Sequence, residues 1–272
     1  MKNLKGKRKF SLGFLSSLFT LLLLAFVSMA GQCADEETIN AISGKRNYEL
    51  PAYKMGSGEK ILHRTAYTVS YNPQRRVPNW VAWRLSAWQA DGQVPRPQNA
   101  FREDSTVATP RATLADYRGS GWDRGHMCPA GDCKWNAKAM YESFLLTNMC
   151  PQAPKLNSGD WNEIEALCRS WASKYGTIYV VTGPIFTSKR PKTIGPNKVA
   201  VPDAFFKAVV RLGKRAAGIA FVCENNEKNN LKPADYVVTI DKVERLTGYD
   251  LFASLSDNIE TSIEAHADIS QW

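Results

Sequence analysis

Gly119-Ser120-Gly121-Trp122-Asp123-Arg124-Gly125-His126-Met127 is the stretch from which the rest of the chain is read. It sets a cation, a glycine and one of only three histidines in consecutive positions. An imidazole takes up a proton near neutral pH, and a guanidinium beside it can hold an oxyanion. Attack of water on a phosphodiester needs both kinds of group. Arg124-Gly125-His126 therefore marks a candidate site, to be judged by what surrounds it.

Working outward, the flanking segments predict a mixed architecture. Residues 62–71 are β-branched and aromatic and end at the turn pair Asn72-Pro73, and Trp80-Val81-Ala82-Trp83-Arg84-Leu85 reads as the antiparallel partner strand. Residues 91–121 carry several prolines and glycines and form a long loop into the motif, a length that inside a compact domain marks function. Residues 136–143 predict a helix. A second follows, capped by Ser158 or Asp160, with Trp161, Ile164, Leu167, Cys168 and Trp171 on one face. Strands are expected at 178–184, 205–210, 217–222 and 236–240, and a short helix runs from Asp241 to Gly248. Strands and helices interleave, so the fold class is α+β: one domain with a central antiparallel β-sheet flanked by helices.

The N-terminus reads differently. Lys2, Lys5, Lys7, Arg8 and Lys9 precede an apolar run from Phe10 to Val27, and Ser28-Met29-Ala30 offers small residues for cleavage. This is a secretory leader pattern over residues 1–30. Residues 31–58 read as a flexible segment, and 59–272 as the functional domain. The expected location is secreted or periplasmic, with lipid anchoring through Cys33 second because Gln32 suits a lipobox poorly. No later apolar run approaches the roughly 20 residues that span a bilayer. Losing the leader lowers the formal charge from +9 to about +4, a mild excess that permits a polyanionic ligand without requiring one. Six cysteines in an exported chain favour disulfides, and no Cys-x-x-Cys completes a zinc set.

Downstream of the motif, Asn148, Gln152, Asn157, Glu163 and Glu165 follow in order. An Asn157 carboxamide oxygen is a hard ligand, and Mg2+ accepts one such ligand while keeping most of its waters. Glu165, about two turns further on, can hold those waters or touch the metal.

These residues carry a resemblance. Tyr117-Arg118-Gly119-Ser120-Gly121-Trp122-Asp123-Arg124-Gly125-His126-Met127, Pro129-Ala130-Gly131-Asp132, Asn148-Met149-Cys150-Pro151-Gln152, Leu156-Asn157, Trp161, Glu165 and Val181-Thr182-Gly183-Pro184 occur in the order and spacing of the DNA/RNA non-specific endonuclease family. The chain resembles that family over roughly residues 60–255. The resemblance implies a ββα-metal (His-Me finger) motif within the α+β fold. It implies His126 as general base, Asn157 as metal ligand and Arg124 on the phosphate. Glu165 would organise metal-bound water, and Asn148 would support the site. A further arginine before the motif is implied, for which Arg96 and Arg102 compete, Arg96 being taken first.

The expected function is a metal-dependent endonuclease cutting DNA and RNA with little sequence preference. Mg2+ is the expected ion, with Mn2+ as a substitute, and products would carry 5′-phosphates. Substrates would be held through the phosphate backbone, and a homodimer stays open. Two other readings share the scaffold: a non-catalytic nucleic-acid-binding protein, and a phosphodiesterase for small nucleotides. Asp123 reads as structural, Asp132 as a cap for the turn after the motif, and Trp80, Trp83, Trp122, Trp161 and Trp171 mainly as core.

Overall fold

The computed structural model describes residues 47–52, 58–228 and 231–272. The leader and Cys33 lie outside them. Seven strands form one sheet: β1 (Lys60–His63), β2 (Thr68–Asn72), β3 (Val77–Ser86), β6 (Thr177–Ile185), β9 (Ala204–Arg211), β10 (Ala217–Glu224) and β11 (Val237–Val238), in the order β1-β2-β3-β6-β9-β10-β11. Every pairing is antiparallel. Two short ribbons stand apart from it: β4 (Asp123–His126) with β5 (Met149–Gln152), and β7 (Thr193–Ile194) with β8 (Val199–Ala200).

Strand period explains the two-sided core. Along β9, Phe205 and Val209 join one apolar cluster while Phe206, Ala208 and Val210 join another. The first cluster takes Ala139 from α1 (Ala137–Ser143) and Trp161, Ile164, Cys168, Trp171 and Ala172 from the long helix α3 (Asp160–Tyr175). Full burial of such large side chains contributes about 1.5–3 kcal/mol each. The second cluster takes Ile240 and Val243 from α4 (Ile240–Thr247) and Ile263 from α5 (Asp257–Glu264). The sheet is therefore covered on both faces, and the ribbon β4–β5 lies on the α3 side.

Several expectations change. The run 62–71 is a hairpin and not one strand: Leu62 pairs with Val69, His63 with Thr68, and Arg64 N donates to Tyr67 O at 2.8 Å across the turn. The long helix is capped by Gly159 without a side-chain bond; Ser158 instead ends the short helix α2 (Pro154–Ser158), and Asp160 is already helical. Only Val237–Val238 of 236–240 is strand, because Thr239 caps α4 by accepting from Lys242 N. The compact unit begins at Asn47, with Tyr48 edge-on to Tyr179 and Ala52 N donating to Asp250 O.

The disulfide expectation is corrected. Cys128, Cys133, Cys150, Cys168 and Cys223 are all buried free thiols; even the nearest pair, Cys128 and Cys133, holds its sulfurs 3.9 Å apart. They serve as small apolar core residues. No helix among the described residues is long and apolar enough to cross a membrane.

Candidate active site

The motif strand β4 is held by β5 in the register Asp123–Gln152, Arg124–Pro151, Gly125–Cys150 and His126–Met149. Gly119 and Gly121, at φ +66° and +78°, turn the chain into it. Gly125 is required by close approach: a Cβ there would meet the Gln152 Oε1 at 2.1 Å and its Cβ at 2.6 Å. After β5 the chain enters α2, which carries Asn157, and then α3, which carries Glu165. Two strands and a helix thus bring the motif and the acidic helix together.

His126 lies in an aromatic and cationic pocket. Its ring centroid is 5.0 Å from Phe144 and 5.5 Å from Phe101. Nε2 is buried with no partner among the described residues. Burial, and then the positive charges of Arg96 and Arg124, push its pKa down to about 3. The imidazole is therefore neutral at physiological pH.

Arg124 lies over the Phe101 ring at 4.3 Å, and Arg96 over Phe144 at 4.9 Å. Both line an open cavity of about 510 Å³ with Phe101 and Leu114. Arg102 points elsewhere. Its guanidinium stacks on Tyr141 at 3.7 Å, its Nε donates to Ala100 O, and its backbone bridges Leu145. Of the two competing arginines, only Arg96 shares the His126 pocket.

Asn157 Nδ2 donates to Asp123 Oδ2 at 2.9 Å. That bond engages the amide nitrogen and leaves Oδ1 available, a hard oxygen of the kind a divalent cation takes. Glu165 is half-buried. Burial raises its pKa to about 7, with Asp132 adding to the rise while Lys207, Arg169 and a hydrogen bond with Trp161 oppose it. Trp161 Nε1 also reaches His126 O at 3.4 Å, tying α3 to the motif strand.

Asn148 does not face the cavity. It is fully buried, Oδ1 accepts from Cys128 N, and Nδ2 donates to both Cys128 O and Ser143 O. Both of its N–H groups and one lone pair of its oxygen are used by backbone groups, an arrangement that suits support of the site. Asp132 is not a turn cap. Its carboxylate accepts from Trp83 Nε1 and Arg169 Nη1, joining β3 to α3 beneath the site. Trp80, Trp83, Trp161 and Trp171 are buried and Trp122 is partly so.

Sequence reasoning missed Phe101, Phe144 and Lys207. Phe101 lies in a loop without pattern, and Phe144 lies just past the helix predicted over 136–143, where it is the C-cap residue. Lys207 sits 1 % exposed on β9, 4.5 Å over the Trp161 ring, with no hydrogen-bond partner among the described residues. A lysine at an inward position of an otherwise apolar strand was the available signal.

The family model for DNA/RNA non-specific endonucleases matches residues 46–258. The chain belongs to the DNA/RNA non-specific endonucleases. It is 36 % identical to human mitochondrial endonuclease G over 213 residues, 74 % of this chain and 72 % of that protein. It is equally identical, over 229 residues, to a nuclease of Nostoc sp., covering 79 % and 81 %. A crystal structure of the EndoG/EndoGI complex matches with a TM-score of 0.70 at 30 % identity, over 77 % of this chain and 90 % of that one. As an endonuclease of this family the protein is a hydrolase that binds nucleic acid, and the family works with a divalent metal.

The secreted or periplasmic location is corrected by the same comparisons. Human and bovine endonuclease G, human EXOG and a yeast nuclease among its relatives are mitochondrial by name.

Proposed function

We propose that this endonuclease hydrolyses DNA and RNA backbones with little sequence preference, using His126 as general base at an Asn157-held Mg2+ site. The observation that carries the reading is a neutral imidazole whose Nε2 has no partner among the described residues, on the strand whose Asp123 engages the Asn157 amide nitrogen and leaves its oxygen available.

His126 takes the proton of the attacking water. With Nε2 shut away from solvent, Nδ1 is the nitrogen left for that task. Burial between Phe101 and Phe144 keeps the ring in place, and the two arginines keep it unprotonated between turnovers. Arg124 and Arg96 hold the scissile phosphate and offset the charge that grows on it. Asn157 would hold the divalent ion and Glu165 would orient its waters. When bound, that ion supplies charge stabilisation for the phosphate and the leaving O3′. Cleavage on that side leaves a 5′-phosphate and a 3′-hydroxyl. Contacts made to phosphate and not to base edges give binding that ignores sequence. Asn148 fixes Cys128 and thereby the exit of the His126 strand.

The test is cleavage of supercoiled plasmid and of RNA side by side, in Mg2+ and in EDTA. Nicking of both polymers in Mg2+ alone supports the reading. Turnover of small nucleotides without polymer cleavage would overturn it.

A further inference from the structure

The sheet face opposite His126 carries a separate concentration of charge. Helices α4 and α5 pack there through Ile240, Val243 and Ile263. Asp241 and Glu244 are three residues apart and so share one side of α4, and Glu264 ends α5. One carboxylate oxygen from each of the three lies within 4.8 Å of the others.

An acidic cluster alone would be a solvated surface. Glu264 makes this one different. It is 5 % exposed, and among the described residues no donor reaches its Oε1. A buried carboxylate with an unmatched oxygen is costly unless a cation or a proton meets it. Burial first, and then Glu244, Glu260, Asp241 and Asp250, push its pKa up to about 9. The neighbouring partners do not cancel this charge. Among the described residues, Arg245 Nη1 stands 4.0 Å from Asp241 Oδ2 at an exposed position, and Glu244 Oε1 accepts from Leu251 N. The sequence adds nothing to balance it. After Arg245, residues 246–272 contain five acids (Asp250, Asp257, Glu260, Glu264 and Asp268) and no lysine or arginine, in a chain of formal charge +9.

We propose that Asp241, Glu244 and Glu264 form a Ca2+ site that fastens α4 to α5 on the far side of the sheet from the catalytic centre. All three ligand atoms are hard oxygens, which suits Ca2+ or Mg2+. Tolerance of an irregular shell selects between them. The three oxygens lie within 4.8 Å of one another, near enough for one hard cation to draw on all three. Mg2+ demands near-ideal octahedral geometry at about 2.0–2.1 Å and gives up its waters reluctantly. Ca2+ tolerates an irregular shell completed by water, as the two partly exposed ligands allow.

The test is a calorimetric titration of CaCl2 into the full chain carrying Asn157→Ala, which silences the catalytic metal position. One site with a Kd of roughly 10⁻⁴–10⁻³ M is expected, and about 10 mM CaCl2 should raise Tm by several degrees. Adding Glu264→Gln should abolish both the heat and the shift. On the wild-type background Glu264→Gln should leave plasmid cleavage in Mg2+ unchanged. Asp241→Asn, at a half-exposed position, is the second variant should Glu264→Gln fail to fold, and it should weaken Ca2+ binding about tenfold. Absence of a Ca2+ response in Asn157→Ala would overturn the site. So would a response that survives both substitutions, or one that Mg2+ reproduces at equal concentration. A site held by a proton alone would show stabilisation on acidification and indifference to Ca2+, and that too would overturn it.

Discussion

Asn157 Nδ2 donates to Asp123 Oδ2 at 2.9 Å, so the first residue of the motif strand sets the orientation of the amide on the following helix. Without that acceptor the amide can rotate and present nitrogen where oxygen is needed. Asp123→Ala should therefore raise the Mg2+ concentration for half-maximal cleavage by about 10–100-fold, the usual cost of losing a group that orients a metal ligand. At saturating Mg2+ most of kcat should return. Loss of kcat with an unchanged Mg2+ dependence would place Asp123 in the chemistry and not behind the ligand.

His126→Ala should lower kcat by about 10²–10⁴-fold, the usual contribution of a positioned general base. The ring is half-buried between Phe101 and Phe144, so folding should be checked by thermal melting. A folded variant that nicks plasmid at the wild-type rate would remove His126 from the mechanism.

The same histidine makes stability depend on pH. Its folded pKa of about 3 lies below the 6.5 of an unperturbed histidine, so folding favours the neutral ring. The contribution is fully present above about pH 6.5 and is lost progressively as pH falls from there towards 3, because the unfolded chain takes up the proton first. Denaturant midpoints between pH 7 and 4 should fall more steeply in the wild type than in His126→Gln. Parallel pH dependences would show that the ring is not held neutral by the fold.

The fold was legible where period and turn chemistry agreed. The β9–β10 hairpin and the apolar face of α3 follow directly from spacing. The 62–71 run misled because Arg64-Thr65-Ala66-Tyr67 carries no glycine, proline or asparagine, and its turn is stabilised by tertiary contacts, including an Arg64–Asp104 ion pair. The cysteines misled because their meaning depends on compartment, which the leader pattern seemed to settle. For the site, linear order named His126, Arg124, Asn157 and Glu165, but it could not show that Phe101 and Phe144 enclose the imidazole. Nor could it show that backbone groups use both N–H groups and one oxygen lone pair of the Asn148 side chain.

That bonding gives a prediction for Asn148. Replacing it with alanine leaves Cys128 N, Cys128 O and Ser143 O without their side-chain partner in a fully buried region. At about 1–3 kcal/mol for a buried polar group left unpaired, the loss should be several kcal/mol, visible as a large drop in Tm. Any surviving folded protein should show lowered kcat with Mg2+ affinity nearly intact, because Asn157 and Asp123 are untouched. A stable Asn148→Ala protein that loses only substrate affinity would return Asn148 to the substrate surface.

Arg96 and Arg102 are separated by where their guanidinium groups lie. Arg96 shares the 510 Å³ cavity with Arg124 and lowers the His126 pKa, whereas Arg102 is committed to Tyr141 and Ala100 O. Arg96→Ala should cut kcat/KM on plasmid by about 10²-fold, the scale seen when one transition-state donor is removed. Arg102→Ala should stay within a few-fold of wild type. Removing the Arg96 charge also relieves one of the two electrostatic pressures on His126, so its pKa should rise towards 6.5. The resulting protonation at low pH removes the base, and NMR titration of the imidazole should show its midpoint moving upward in Arg96→Ala alone. The reverse ranking of the two arginines, or a His126 titration unmoved by loss of Arg96, would assign the phosphate contact to Arg102.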